Sequence, residues 1–365
     1  MISNVSFILR CFVAVLAVHA GSIDLCSATD SPIPSASDQF QQSLKTVLDK
    51  ASSSPSMTIS GEDGWLFLDK ELRHLAAPQF WSDIPDAESD SNDPLPAILD
   101  FKEQLDKAGI DLLLVPVPTK AAIYPDKLMS GNPTPPEVPA DLVKNDRDFY
   151  ALLESRGIKV LDLTETFLSA RTTDSPDLYC KTDTHWAPPG IQLAAKKIAE
   201  LIQDLPWVTA QPKVETKAVD VPLEIHGDLA ASLIPPQTTT EPLGSRFIGL
   251  ASSAGLEPLP NSKSSPIILL GDSHNLVFHS GGDMHSVGAG LADQLSYELG
   301  FPLDVVAVMG SGATSARRNL ARRKASLTGR RLLIWCFTAR EFTQGQGWAK
   351  VPLIKEPMSA RPLLR

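Results

Sequence analysis

The feature that most constrains this chain is a regular alternation of short apolar runs with helical segments. Runs that are apolar throughout, such as residues 110–117, are typical of strands buried on both faces of a parallel sheet. Strands alternating with helices predict an α/β fold whose mostly parallel central sheet is covered on both faces. The predicted strands span 110–117, 158–163, 266–270, 303–309 and 331–337, and the predicted helices span 93–108, 141–156, 189–205, 286–299 and 313–326.

Two segments interrupt this alternation and set the predicted domain organisation. Residues 29–58 are rich in Ser, Pro, Asp and Gln, which predicts a linker with one short helix near 40–50. Residues 206–265 are polar and Pro-rich, which predicts an inserted, loop-rich region or lid. A catalytic domain is therefore expected over 59–345, with residues 346–365 as a C-terminal tail.

The N-terminus has the pattern of an export signal. Arg10 precedes an apolar run over residues 11–18 that is too short to cross a bilayer as a helix. Small residues near Ala20 and Ala28 fit a signal-peptidase site, so residues 1–28 are predicted to be a signal peptide. An uncleaved anchor is the alternative. The expected location is the periplasm or the outside of the cell, peripheral to the membrane at most.

Charge and cysteine usage restrict the partners and the chemistry. The formal net charge is −10, which argues against nucleic acid as a partner and against broad adhesion to anionic membranes. Removal of the signal peptide would leave two cysteines, Cys180 and Cys336, either as a disulfide or as two buried thiols. We expect them to lie close together near the catalytic edge of the sheet. No cysteine spacing typical of a zinc site occurs.

A candidate nucleophile follows the strand predicted at 266–270. Ligands of parallel α/β sheets bind beyond the carboxyl ends of the strands. This strand runs into Gly271-Asp272-Ser273, which places a serine hydroxyl at that edge after a glycine that permits a sharp turn. Backbone amides at the start of a following helix would favour an oxyanion. Because many strands end in such a sequence, the serine needs partners elsewhere in the chain.

Asp183 and His185 are the candidate partners. A serine attacks when a base takes its proton, and the base needs an acceptor that orients it. Side chains at i and i+2 of an extended segment point the same way, so Asp183 can hold Nδ1 of His185 and leave Nε2 for Ser273. The alternative is a capping aspartate and an ordinary surface histidine before the helix that begins near Pro189.

A metal-dependent phosphoesterase is another possible interpretation, because Asp183-Thr184-His185 is followed later by His274 next to Gly-Asp-Ser. Two observations argue against it. The segment before Asp183 is mixed rather than an apolar strand, and a later Gly-Asn-His segment for the remaining ligands is missing. We therefore predict no metal site and no cofactor.

Several short segments occur together in a fixed order: Gly61-x-Asp63-Gly64-Trp65-Leu66-Phe67, Val115-Pro116-Val117-Pro118-x-Lys120, Tyr124-Pro125, Asp183-Thr184-His185-Trp186, Gly271-Asp272-Ser273 and Trp335-x-Phe337-x-x-Arg340. In this ordered set the chain resembles the SGNH-hydrolase-like O-acetyltransferases that modify bacterial exopolysaccharides, of the alginate O-acetyltransferase J and X type. The resemblance covers roughly residues 58–343. Because the chain ends soon after Arg340, with no carbohydrate-binding module, it is more similar to the J type.

The resemblance implies an SGNH-hydrolase-like three-layer fold, with Ser273 as nucleophile, His185 as base and Asp183 as its orienter. The Asp-x-His pair precedes the nucleophile in this family, as it does here. The resemblance also implies a polysaccharide acceptor and an acetyl donor, for which a membrane-bound acyl-export protein is a candidate.

Further matched positions are candidates for oxyanion or substrate binding. The family supports a glycine in the turn at 309–313 as an oxyanion donor beside the Ser273 amide, and we expect Gly312 rather than Gly310. Lys120 and Arg340 are expected to hold a carboxylate or to order loops around the triad. Trp186 is expected to wedge its loop, with stacking on a sugar ring as the alternative.

Two further features, His274 and a basic run, are not part of this resemblance. Residue 274, directly after the nucleophile, is a histidine where an apolar or aromatic residue is commoner. A basic run on the helix at 313–326 is either a solvated face or a patch for an acidic polysaccharide, and comprises Arg317, Arg318, Arg322, Arg323 and Lys324.

The sequence thus predicts an O-acetyltransferase that moves an acetyl group onto hydroxyls of an exported polysaccharide through an acyl-serine intermediate. A carbohydrate esterase with the same triad is one alternative, because water and a sugar hydroxyl would compete for the same acyl-enzyme. A non-catalytic glycan-binding scaffold is the other.

Overall fold

A five-stranded sheet forms the centre of the fold in the computed structural model, which describes residues 35–52, 55–82, 92–132, 140–172, 175–253, 255–323 and 327–353. In chain order the strands are β1 (Thr58–Ser60), β2 (Leu66–Leu68), β3 (Asp111–Val117), β4 (Lys159–Val160), β5 (Lys217–Ile225), β6 (Glu241–Ser252), β7 (Gly255–Pro258), β8 (Ile267–Gly271), β9 (Asp304–Ala307) and β10 (Leu332–Thr338).

Helices cover this sheet and connect its strands. They are α1 (Ala36–Ala51), α2 (Asp69–Leu75), α3 (Pro94–Lys107), α4 (Lys120–Ile123), α5 (Pro125–Leu128), α6 (Lys144–Ser155), α7 (Thr164–Ala170), α8 (Pro188–Ile202), α9 (Pro206–Thr209), α10 (Asp228–Ala231), α11 (Leu291–Leu299), α12 (Thr314–Arg322) and α13 (Glu341–Gln344). Short 3-10 turns lie at Ala140–Val143, Ser273–Asn275 and Gly282–Met284.

The central sheet has the strand order β4–β3–β10–β8–β9, and each neighbouring pair is parallel. The predicted α/β fold with a parallel sheet is therefore confirmed. Each of the five strands predicted for this sheet is present, although β4 and β9 are shorter than their apolar runs. In this order β8 lies between β10 and β9, so the residues that follow β8 emerge near the middle of the carboxyl edge.

Side chains of the central strands alternate between two apolar cores. On β3, Leu113 and Val115 belong to one core with helices α8 and α11, whereas Leu112 and Leu114 belong to the other with α3, α6 and α12. Both faces of the sheet are thus covered, which gives the three predicted layers. The strands read as continuous apolar runs because neither face meets solvent.

The predicted linker contains a helix that belongs to the folded domain. The compact unit begins at Ser35, which caps α1 through a capping box with Asp38. Phe40 and Leu44 lie one turn apart on α1 and are fully buried in the core. The domain therefore starts before residue 59. Polar residues on the other faces of α1 account for the linker-like composition.

The insertion predicted as loop-rich contains a second sheet. Strands β5, β6 and β7 pair in antiparallel order, and only Ile225 of β5 is buried. Because both faces of β5 meet solvent, its sequence lacks the apolar alternation that identifies half-buried strands. The region predicted as a loop-rich insertion or lid therefore contains strands that its sequence did not indicate.

The two ends of the chain were assigned by sequence alone. The predicted signal peptide at 1–28 and residues 354–365 of the predicted tail lie outside the described residues. The first part of that tail packs on the domain, since Trp348 and Val351 are buried. Among the residues that the structure describes, none of the helices has the length and apolarity needed to cross a bilayer.

Candidate active site

Ser273 lies one residue beyond β8, after Asp272, and begins the 3-10 turn Ser273–Asn275. The turn is tight because Gly271 lies against β10: a Cβ added there would stand 1.7 Å from the carbonyl oxygen of Cys336. The carboxylate of Asp272 caps the turn by accepting the backbone N–H of His274 at 2.9 Å. Asp272 and His274 are buried, whereas Ser273 is partly exposed. The hydroxyl is therefore held rigidly at an accessible edge of the sheet.

The three predicted triad residues come together at this edge. Nε2 of His185 lies 2.8 Å from Oγ of Ser273, and Nδ1 of His185 lies 2.7 Å from Oδ1 of Asp183. Asp183 and His185 are 1% and 5% exposed, so Ser273 is the member that meets solvent. This is the hydrogen-bonded order that activates a serine nucleophile.

The segment with Asp183 and His185 is a short hairpin that leads into α8. Tyr179 and Trp186 form an antiparallel bridge, and the N–H of Cys180 donates to the carbonyl of His185 at 3.2 Å. The helix α8 then begins at Pro188, a position where the missing N–H of proline causes no loss.

The carboxylate of Asp183 accepts four hydrogen bonds. Oδ1 accepts from Nδ1 and from the backbone N–H of His185, the latter at 3.0 Å. Oδ2 accepts from the backbone N–H of Asp228 at 3.0 Å and from Nε2 of His285 at 2.9 Å. Sequence reasoning missed Asp228 and His285, because no local spacing links them to the triad. The one feature of the sequence that could have indicated His285 is its position in a segment that contains Gly281, Gly282 and Gly288.

The insertion holds the Asp183–His185 hairpin in place. The carboxylate of Glu241, on β6, accepts the backbone N–H groups of Lys181 and Thr182 at 2.8 Å each. The carboxylate of Asp228, on α10, accepts the N–H of Thr184 at 2.7 Å and its hydroxyl as well. The insertion therefore contributes to the site itself.

The hydrogen bonds around Asp183 set the ionisation of the pair. Burial alone would raise the pKa of Asp183, but His185 and His285 outweigh it and hold that pKa well below its usual range. Burial alone would lower the pKa of His185, but the charge and hydrogen bond of Asp183 outweigh it and raise that pKa. Asp183 is thus ionised at neutral pH, as the orienter of a base must be.

Ligand-type atoms of Asp183, His185 and Asp228 also lie within 4.8 Å of one another. Each residue is already engaged, however: Asp183 and His185 bind each other, and Asp228 binds Thr184. A cation at this point would have to replace the hydrogen bond between His185 and Asp183. The donor set therefore fits an acid–base triad better than a metal centre.

Lys120 and Trp186 were candidate substrate-binding residues, and the structure places neither on an accessible surface, because both are 0% exposed. Nζ of Lys120 donates to the backbone carbonyls of Leu66 and Asp183 at 2.8 Å and 2.6 Å. Nε1 of Trp186 donates to the carbonyl of His274 at 3.1 Å. Lys120 thus orders the loops around the triad, and the buried ring of Trp186 wedges its hairpin.

Arg340 binds a carboxylate, which is one of the two roles expected for it. Its Nη1 lies 3.2 Å from Oε1 of Glu71 and 3.1 Å from the hydroxyl of Thr338. Burial raises the pKa of Glu71, opposed by the charges of Arg340 and Lys120. The side chain of Arg340 is 14% exposed, so its guanidinium is nearly covered. Only this small exposed part of the Arg340 side chain could contact a substrate.

Gly312 does not have the environment expected of an oxyanion donor. The backbone amides of Gly312 and Ala313 are both directed at the carboxyl group of Glu341. A Cβ at Gly312 would lie 2.4 Å from Cβ of Phe337 and 3.1 Å from Cβ of Asp272. Close packing rather than oxyanion binding therefore accounts for glycine at this position. Burial raises the pKa of Glu341 to about 7.

The basic run on α12 is not a continuous patch. Arg317 is 0% exposed, and its guanidinium lies 5.2 Å from the ring centroid of Trp335. Arg323 pairs with Asp304 at 3.1 Å, and Lys324 lies outside the described residues. The exposed cations of α12 itself are Arg318 and Arg322.

Cys180 and Cys336 are both buried free thiols, which answers the choice left open by the sequence. Burial raises the pKa of each thiol well above its usual range. They act as small apolar residues in the core that contains α8 and α11.

Comparisons with known proteins agree with this fold. A family model described as the SGNH hydrolase-like domain of the acetyltransferase AlgX matches residues 58–339. The chain is 29% identical over 226 residues to a probable alginate O-acetylase AlgJ of Pseudomonas fluorescens, which covers 60% of this chain and 53% of the relative. It thus spans about half the length of the curated relatives it matches.

Two solved structures share the fold. The O-acetyltransferase domain of Pseudomonas putida AlgJ has a TM-score of 0.58 at 20% identity, covering 79% of this chain and 93% of that one. Pseudomonas aeruginosa AlgX has a TM-score of 0.57 at 21% identity, covering 79% of this chain and 63% of that one. The resemblance found in the sequence is confirmed, and the chain belongs to the SGNH hydrolase-like acetyltransferase family of AlgX.

Proposed function

We propose that this chain is an O-acetyltransferase that moves an acetyl group onto hydroxyls of an exported polysaccharide through an acetyl-serine intermediate. Its family is one of acetyltransferases, and its curated relatives are named as probable alginate O-acetylases. The observation that carries the proposal is the 2.8 Å separation of Nε2 of His185 and Oγ of Ser273, with Asp183 on the other nitrogen.

In the first half-reaction Nε2 of His185 takes the proton of Ser273 as Oγ attacks the carbonyl carbon of an acetyl ester. The imidazolium that forms is stabilised by the ionised carboxylate of Asp183. Collapse of the tetrahedral intermediate breaks the bond to the donor oxygen, which takes the proton from His185. Ser273 then carries the acetyl group and the donor leaves as an alcohol.

In the second half-reaction a sugar hydroxyl gives its proton to His185 and attacks the same carbonyl carbon. The bond between the carbonyl carbon and Oγ of Ser273 breaks, and Oγ recovers a proton from His185. The products are an acetylated sugar and the free enzyme. Water in place of the sugar would give acetate, the reaction of an esterase.

We further propose that the backbone amide of Ser273 is one oxyanion donor. The remaining candidate for a second donor in the 309–313 turn is the backbone amide of Gly310. The acceptor is taken to be alginate or a similar acidic polysaccharide, by analogy with the names of the relatives. The predicted signal peptide supports a periplasmic location, where a membrane-bound acyl-export protein would supply the acetyl group.

In the test, the full chain is incubated with p-nitrophenyl acetate as acetyl donor and with either alginate oligomers or neutral dextran oligomers as acceptor. Mass spectrometry counts the acetyl groups on oligomers against free acetate, with Ser273→Ala as the matched control. We expect acetylated alginate oligomers that Ser273→Ala does not form. Free acetate alone would identify an esterase. Oligomer binding without turnover of the ester would identify a scaffold.

A further inference from the structure

His285 is a second histidine on the triad aspartate. Its Nε2 lies 2.9 Å from Oδ2 of Asp183, the oxygen that faces away from His185. The His285 side chain is 10% exposed, and its ring packs on Phe278 with 5.5 Å between the centroids. An ionised carboxylate only accepts hydrogen bonds, so Nε2 of His285 must carry a proton. His285 is thus a buried side chain whose polar atom is directed at the triad.

The backbone of His285 is strained. Its φ is 69° and its ψ is −59°, and the N–H of Ser286 donates to the carbonyl of Met284 at 2.9 Å. These angles and this hydrogen bond define the rare γ-turn with positive φ. Such a conformation costs a residue other than glycine of order 1–3 kcal/mol and persists only where the surroundings enforce it.

Glycine would fit this position without strain. The chain uses it for the positive φ of Gly281, Gly282 and Gly288 in the same loop. A histidine in the γ-turn therefore needs a compensating contact from its side chain. The contacts that the structure provides are packing on Phe278 and the hydrogen bond to Asp183.

We propose that His285 is a positioning residue of the triad, an assignment that rests on the acyl-transfer function proposed above. By donating Nε2–H to Oδ2 of Asp183, it prevents the carboxylate from rotating and keeps Oδ1 on Nδ1 of His185. The backbone N–H of Asp228, at the start of α10, shares this oxygen. His285 is the side-chain donor to Oδ2 within the described part of the chain.

The consequence for catalysis is specific. The contacts of the His285 side chain are with Asp183 and Phe278 and not with the nucleophile Ser273, so its loss should not change how the donor binds. Without His285 the carboxylate of Asp183 would keep three of its four hydrogen bonds, and being less firmly fixed it would stabilise the imidazolium of His185 less well in the transition state. The variant should therefore lose kcat while keeping KM, because the lost interaction acts only as the imidazolium forms.

The test compares three variants of the full chain with p-nitrophenyl acetate as donor. His285→Gly removes the side chain at a backbone position that glycine adopts without strain. His285→Gln keeps an N–H donor of similar reach. His279→Gln is the matched control, because His279 pairs with Asp293 at 2.8 Å in the same region and does not contact the triad.

We expect His285→Gly to fold, to lose kcat by roughly 10–100-fold and to keep its KM within about twofold. His285→Gln should regain most of kcat, and His279→Gln should match the wild type. Imidazole added to His285→Gly is a second rescue, which stands if His285→Gln does not fold. Wild-type kcat in His285→Gly would overturn the assignment, as would the failure of both rescues.

Ser273→Ala measured alongside separates this inference from the proposed function. Turnover by Ser273→Ala at the wild-type rate would remove the triad mechanism altogether. Inactive Ser273→Ala together with fully active His285→Gly would remove only the role assigned to His285.

Discussion

The imidazole of His274 lies beside that of His185, with 4.8 Å between the ring centroids and 59° between the planes. Two charged rings so close would repel each other in a buried site. Burial lowers the pKa of His274 to about 4, opposed by Asp272, whose carboxylate lies 3.2 Å from Nδ1. His274 is thus neutral at neutral pH, and His185 is left as the ring that changes charge during catalysis.

The low pKa of His274 predicts a loss of stability in acid. An unfolded histidine titrates near 6.5, so between about pH 6.5 and pH 4 the unfolded chain binds a proton that the folded chain excludes. Stability is fully present above pH 6.5 and falls as the pH drops toward 4. His274→Asn keeps a donor for Asp272 but cannot titrate.

We expect the free energy of unfolding of the wild type to fall by about 1–2 kcal/mol more than that of His274→Asn between pH 6.5 and pH 5. Urea denaturation at several pH values measures this difference. Parallel curves for the two proteins would show that His274 binds its proton equally well in the folded and the unfolded chain.

The raised pKa of His185 predicts the acidic limb of the pH profile. His185 accepts the serine proton only when neutral, so kcat/KM should rise with pH through a value at or above roughly 6.5. Asp183→Asn removes the charge that raises this pKa, so the limb should move to lower pH. Its rate should fall by roughly 10³–10⁴-fold, because the amide favours the wrong tautomer. An acidic limb at the same pH in Asp183→Asn as in the wild type would show that Asp183 does not raise the pKa of His185.

Ser273→Ala should remove acetyl transfer without loss of stability. Its hydroxyl is partly exposed and its one hydrogen bond is to His185, so little packing is lost. A fluorophosphonate probe should label the wild type at Ser273 and should not label the variant. Thermal melts should give the same Tm within about 1–2 °C. Labelling at another residue would point to a different nucleophile.

Trp186→Phe should change stability rather than acceptor binding. The variant loses the hydrogen bond from Nε1 to the His274 carbonyl and leaves space in a fully buried site, at a cost of about 1–3 kcal/mol. KM for alginate oligomers should stay the same, because the ring is inaccessible. A large rise of that KM with unchanged Tm would instead favour stacking of Trp186 on a sugar.

The sequence was most informative where a local rule decides the structure. Continuous apolar runs predicted the central strands because both faces of the sheet are covered. The spacing of Asp183 and His185 predicted that they would meet, and the structure has a 2.7 Å hydrogen bond between them, although the segment is bent where an extended one was expected. Each prediction depends on residues that are neighbours in the chain.

Where tertiary contacts decide, the sequence was less informative. Asp228 and His285 reach Asp183 only through the fold, so no spacing could have indicated them. Gly312 illustrates another limit: a turn glycine can expose its amide to a ligand or let two segments approach closely, and the two look alike in a sequence. Only the packing of Gly312 against Phe337 and Asp272 in the structure distinguishes these two roles.

The four hydrogen bonds to Asp183 have a consequence for the newly made chain. Asp228 and His285 lie 45 and 102 positions from Asp183, and Ser273 lies 88 positions from His185. Such contacts require long stretches of chain to close into loops, and the entropic cost of closure rises with loop length. Until then Ser273 has no base beside it. The nucleophile is therefore active only in the folded protein.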